Sequence, residues 1–277
     1  MHKNTLRLCG FTIAAGIFGA FFRWVQLSRA VEADTGLFIS GSPWSTLVVV
    51  FLAVYAAALL LLVRRMKGVS FAQAYPAVYA GGRAAKPAAI LAGALLVLGG
   101  LLTIVYAMHA AATATVGLGG TVDYTPVFDL VLGMFAAVCG IAETVFILSA
   151  GSAKPAKGYL SSALTVLFLC FWLIAAYKYS ADDPVVWNFA IRLLCIASAI
   201  LAFYYAAGFV FEKPHPLAAL YFCQLTVFLA IVTEADVYPL GEQLIVLAFL
   251  LFALLLSVLQ LGSIDRAAPA APPAPAE

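Results

Sequence analysis

The sequence predicts an all-α protein, a polytopic bundle of eight transmembrane helices. Three observations carry that expectation: 65% of the 277 residues are apolar, only 10% are charged, and apolar runs long enough to cross a bilayer recur along the chain. Such a run must be helical, because a helix satisfies every backbone N–H and C=O within one segment.

The runs fall at 8–27, 44–63, 88–108, 126–150, 159–177, 187–211, 217–236 and 243–262. Span one follows a basic start, MHKNTLR, but has no small-x-small cleavage site before Arg23, so it is expected to be retained. Lys3, Arg7, Arg64, Arg65, Lys67, Arg83, Lys86, Lys154, Lys157, Lys213 and Arg266 fall on one side. Only Arg29 and Lys178 fall on the other, where Glu32, Asp34, Asp123, Asp182, Asp183, Asp236 and Glu242 collect. The positive-inside rule then puts both termini in the cytoplasm, and the expected location is the cell membrane.

An internal repeat is expected. RWVQLSRAVEADTG, closing span one, lies over FWLIAAYKYSADDP, closing span five, and matches Trp24 with Trp172 and Asp34 with Asp182. Trp44 and Trp187, Lys86-Pro87 and His215-Pro216, and Tyr124 and Tyr238 recur at corresponding places. The reading is two tandem halves, 1–152 and 153–263, and then a Pro/Ala-rich tail, 264–277, expected to be disordered. In that register Glu143 corresponds to Ser257.

Span four holds the first chemistry. Asp129, Gly133, Ala136, Gly140 and Glu143 lie within about 40° of one line at 100° per residue. Small residues let a second helix come close, so this face should point into protein. Leu132, Val138, Val145 and Phe146 are expected to be free to meet lipid.

Two groups of polar residues follow. On the outer side Arg23, Asp129, Arg192 and Glu234 form an expected charge cluster, with a salt bridge from Arg23 to Asp129 as its specific contact. The alternatives are a vestibule lined by charge and a clasp between helices. Deeper, Glu143 lies about 10 Å from the inner boundary, too far for a short side chain to reach the headgroups. The topology puts Tyr55, Thr165, Tyr204 or Tyr205, and Gln224 near its level, with no basic residue. An ionised carboxylate there is costly, so the acid form is expected, donating to a tyrosine or glutamine or serving as a proton or substrate handle. Glu143, Gln224, Tyr204 and Tyr55 are therefore the candidate handle residues.

The connector 64–87 is basic and carries Phe71, Tyr75, Val78 and Tyr79 at helical spacing, interrupted by Pro76. It is expected to lie at the headgroups, with docking of a cytoplasmic partner as the alternative.

Other chemistries are poorly served. Five cysteines lie in apolar spans without a CxxC pair, and His2, His109 and His215 are too scattered to hold haem or zinc. No lysine lies within a span, and there is no GxGxxG or P-loop. No cofactor, metal or nucleic-acid partner is expected, and an enzyme is the least expected class. Two readings stand: a small-solute transporter or permease-like component using Glu143, or a non-transporting membrane interaction, anchor or sensor subunit whose polar faces are structural. A water-accessible cavity reaching Glu143 would favour the first, and a dry interior the second.

Overall fold

The computed structural model describes residues 3–32, 37–39, 41–113, 125–151, 156–180 and 189–264. The tail from 265, together with Asp34, Asp123, Tyr124, Lys154, Asp182, Asp183 and Trp187, lies outside the described residues.

The eight apolar runs are eight long helices. In chain order α1 is Lys3–Arg29, α2 Pro43–Arg65, α3 the single turn Tyr75–Tyr79, and α4 Ala85–Thr113. They are followed by α5 Thr125–Ser149, α6 Ala156–Ser180, α7 Ala190–Val210, α8 Pro216–Thr233 and α9 Leu240–Gly262. All but α3 are long and apolar enough to cross a membrane. The end of the bundle that holds the start of α1 and the close of α9 is called the terminal side below. Prolines set several starts: Pro43 and Pro216 occupy the first turns of α2 and α8, where the missing N–H is no loss. The α8 helix ends at Thr233, so Glu234 and Asp236 belong to the connection that leads to α9.

Helix α8 lies in the interior, packed on α1, α7 and α9, and α4 is held between α5 and α9. Burial follows that order, with 61% of the apolar window of α8 inside the protein against 22% for α2. The α4–α5 contact depends on glycine. A Cβ on Gly133 would lie 2.5 Å from the Gly100 carbonyl oxygen, and one on Gly140 would lie 2.7 Å from that of Gly93. The stripe through Gly133, Ala136 and Gly140 therefore faces protein, and backbone meets backbone there.

Two expectations are corrected. Leu132 and Phe146 are buried, while Val138 is exposed as expected. Helix α5 is covered on a second side by α6, and Phe146 also meets the rings of Tyr75 and Tyr79. The connector 64–87 does not rest on the headgroups by its aromatic face: Phe71, Tyr75, Val78 and Tyr79 are all buried in the bundle. Between α2 and α4 the connector holds a 3-10 turn, Met66–Gly68, and the α-helical turn Tyr75–Tyr79, and Pro76 stands in the first turn of the latter, so proline starts it. Tyr75, Val78 and Tyr79, at i, i+3 and i+4, form its one inward face. Arg64, Arg65, Lys67, Arg83 and Lys86 remain exposed around it.

Candidate functional site

Two polar sites occupy opposite ends of the bundle. At the terminal end the α3 turn closes over Glu143. The Tyr79 ring packs against Phe146 and Phe209, with centroids 5.4 Å away in each case, and its hydroxyl accepts a hydrogen bond from Gln260 Nε2 at 2.7 Å. Tyr75 donates its hydroxyl to the Phe146 carbonyl and lies 3.1 Å from Ser149 Oγ. Burial pushes the Tyr75 phenol up to about 12, so it remains a neutral donor.

Beneath this turn the Glu143 side chain is 1% exposed. Its neighbours come from five elements: Tyr75 and Tyr79 on α3, Cys139 one turn away on α5, Thr165 on α6, Cys223 on α8, and, through Cys223, Ser257 on α9. Thr165 stands near the carboxyl, with its hydroxyl donating to the Ser161 carbonyl at 3.2 Å, and Oε2 is buried without a hydrogen-bond partner among the described residues. The four described cavities, at the surfaces of α1, α2, α3 and α6–α8, do not include Glu143 in their walls.

Of the residues that the sequence groups with Glu143, Thr165 is brought to it. Gln224 turns to α1 and donates Nε2–H to Cys9 Sγ at 3.4 Å, and Tyr55 donates to Thr12 Oγ1 at 2.9 Å while stacking on Phe228. Tyr204 is 59% exposed on the outer surface of α7, and Tyr205 stacks on Phe222. The cause is a shared one: α1 and α2 cover the Gln224 side of α8, whereas Glu143 faces its Cys223 side. Sequence reasoning missed Tyr75 and Tyr79 as neighbours of Glu143, although their i, i+4 spacing on either side of Pro76 marked an aromatic turn.

At the far end two arginines are buried, each against a carboxylate. Arg23 donates Nε–H to Asp236 Oδ1 at 2.6 Å and Nη1–H to Gln26 Oε1 at 2.8 Å. Among the described residues Arg23 is thus ion-paired with Asp236, where Asp129 was expected. The reason is packing, since α1 lies on α8 and meets the connection that follows it, while α5 packs on α4 and α6. Arg192 is ion-paired with Glu242 at the start of α9, and its guanidinium carbon lies 4.5 Å from the Tyr238 ring centroid. Asp129 stands farther along the same network, beside Glu242 and Tyr179.

Burial raises the Asp236 carboxyl above the usual range, and Arg23 draws it partly back. Glu234, near Cys195, is pushed up to about 7 by burial. The network links α1, α7 and α9 through the α8–α9 connection. Among the described residues no group of three or more His, Cys, Asp or Glu stands close enough to hold a metal ion.

Eight membrane-length helices and polar groups buried between them define a multi-pass membrane protein. Comparison with protein-family models, curated proteins and solved structures finds no match to this chain.

Proposed function

We propose that this chain is a non-transporting membrane interaction or sensor subunit, with both termini in the cytoplasm of the cell membrane. The observation that carries the reading is the closure of Glu143 beneath Tyr75 and Tyr79, with the carboxyl buried at 1% exposure. A carrier needs its intramembrane acid to meet water from one side and then the other. Here the acid is enclosed by two tyrosines, two cysteines and a threonine. The same turn holds an exposed basic rim, Arg64, Arg65, Lys67, Arg83 and Lys86, on a firmly packed base. An anionic partner on the cytoplasmic side suits that rim, and the charge asymmetry between the two sides supports the orientation.

A second reading, a carrier that opens by lifting the α3 turn, is favoured by the unpartnered Oε2 of Glu143. Proteoliposomes under an imposed pH gradient, followed with an entrapped pH-sensitive dye, separate the two. The subunit reading expects the wild type and Glu143→Gln to dissipate the gradient at the same rate as protein-free vesicles. Proton flux in the wild type that Glu143→Gln abolishes would favour the carrier.

A further inference from the structure

We propose that the groove between α6 and α7 on the terminal side binds an acidic phospholipid, with Lys213 meeting its phosphate. The groove encloses about 650 Å³. Its α6 wall runs from Ser162 to Leu167, about 7.5 Å along the helix axis, and its other wall includes Tyr204 and Tyr205 on α7 and Phe211 just past its end. Lys213 and His215 close the end that lies at the membrane boundary. One end is thus cationic and the rest apolar or aromatic, as a headgroup followed by an acyl chain requires.

The cationic end is held in place by the backbone. At the close of α7 the Lys213 N–H donates to the Gly208 carbonyl at 2.8 Å, and Glu212 takes φ 57°, the left-handed conformation of a helix C-cap. Glycine ordinarily fills such a position, so its occupation by glutamate shows that the turn is held by its surroundings. A Cβ on Gly208 would lie 2.7 Å from the Lys213 carbonyl oxygen, so the turn folds tightly onto α7. Pro214 and Pro216 restrict the chain on either side, and His215 packs edge-on against Tyr205 with centroids 5.9 Å apart. Glu212 lines a separate cavity with Tyr75 and Tyr159, which keeps its carboxylate out of the Lys213 groove.

The apolar length of the groove and its membrane-facing wall select a lipid over a soluble anion. Leu167 and Tyr204 are both exposed and lie within membrane-length helices, where a water-borne phosphate does not reach. A phospholipid in the leaflet reaches both the lysine and these side chains.

Native mass spectrometry of protein released from phosphatidylcholine bilayers containing one-tenth phosphatidylglycerol tests the site. The proposal expects phosphatidylglycerol to be retained roughly five-fold above its bulk share, the effect of about one basic contact. Lys213→Ala should abolish the enrichment and Lys213→Arg should keep it. Ala163→Phe, at an exposed position in the groove wall, should also abolish it by filling the apolar part. Lys86→Ala, an exposed cation elsewhere on the same side, should leave it intact, as should inorganic phosphate in molar excess. The proposal is overturned by an absence of enrichment in the wild type, or by an equal loss in Lys86→Ala. Displacement by phosphate, or retention in Ala163→Phe, would overturn it equally.

Discussion

Gln260 on α9 donates its side-chain N–H to the hydroxyl of Tyr79 at 2.7 Å, which ties the turn covering Glu143 to the last helix of the bundle. Both residues are buried, so neither can exchange the other for water. Tyr79→Phe leaves the amide without its acceptor and should cost about 1–3 kcal/mol. The double variant Tyr79→Phe with Gln260→Leu should recover most of that loss, since both polar groups are then gone. Thermal unfolding in detergent, followed by intrinsic fluorescence, reads both effects.

The pair Arg23 and Asp236 is the second point of stability. Removing one partner strands a buried charge, so Arg23→Ala and Asp236→Ala should each cost about 3–5 kcal/mol. The double variant should be less damaged than the sum of the two. Strictly additive losses in the same unfolding assay would rule out a direct contact. Asp129→Ala combined with Arg23→Ala should be nearer to additive, because Asp129 stands farther along the network.

The eight spans were legible because membrane helices declare themselves by length and apolarity, neither of which depends on neighbours. The inward stripe of α5 was equally plain, since Gly133, Ala136 and Gly140 share one face. Pairing was not legible. Arg23 lies at the right depth for Asp129 and for Asp236 alike, and only the packing of α1 on α8 selects between them. The α3 turn was misread for a related reason: Tyr75 and Tyr79 look alike whether their rings meet headgroups or Phe146 and Phe209. Leu132 and Phe146 lie to one side of the glycine stripe, and nothing local shows that neighbouring elements cover them.

Close backbone contact between α4 and α5 leaves no room for side chains. Gly100→Leu or Gly133→Leu would drive a Cβ and its branches against the opposing carbonyl, forcing the helices apart. A loss of at least about 3 kcal/mol, or failure to accumulate in the membrane, is expected. Gly82→Ala, where a Cβ meets nothing within 4 Å, should be neutral and serves as the control.

Glu234 gives the protein a pH dependence of predictable sign. Burial lifts its folded-state value to about 7, above that of the unfolded chain, so the folded state holds the proton more tightly. The stability from that proton is fully present below the unfolded value and is lost as pH rises through about 7. Melting temperature should therefore fall between the glutamate range and neutral pH, and Glu234→Gln should flatten that slope. A slope unchanged by the substitution would assign the dependence to another group.

The closed chamber around Glu143 is best tested through the two native thiols in its wall, Cys139 and Cys223, both fully buried. A small cationic methanethiosulfonate reagent is applied to the protein in vesicles, and modification is read peptide by peptide by mass spectrometry. The account predicts that neither thiol reacts while the protein is folded, and that Tyr75→Ala with Tyr79→Ala, which removes the cover, makes them reactive. Modification of Cys139 or Cys223 in the folded wild type would show that water reaches Glu143, and would contradict the account.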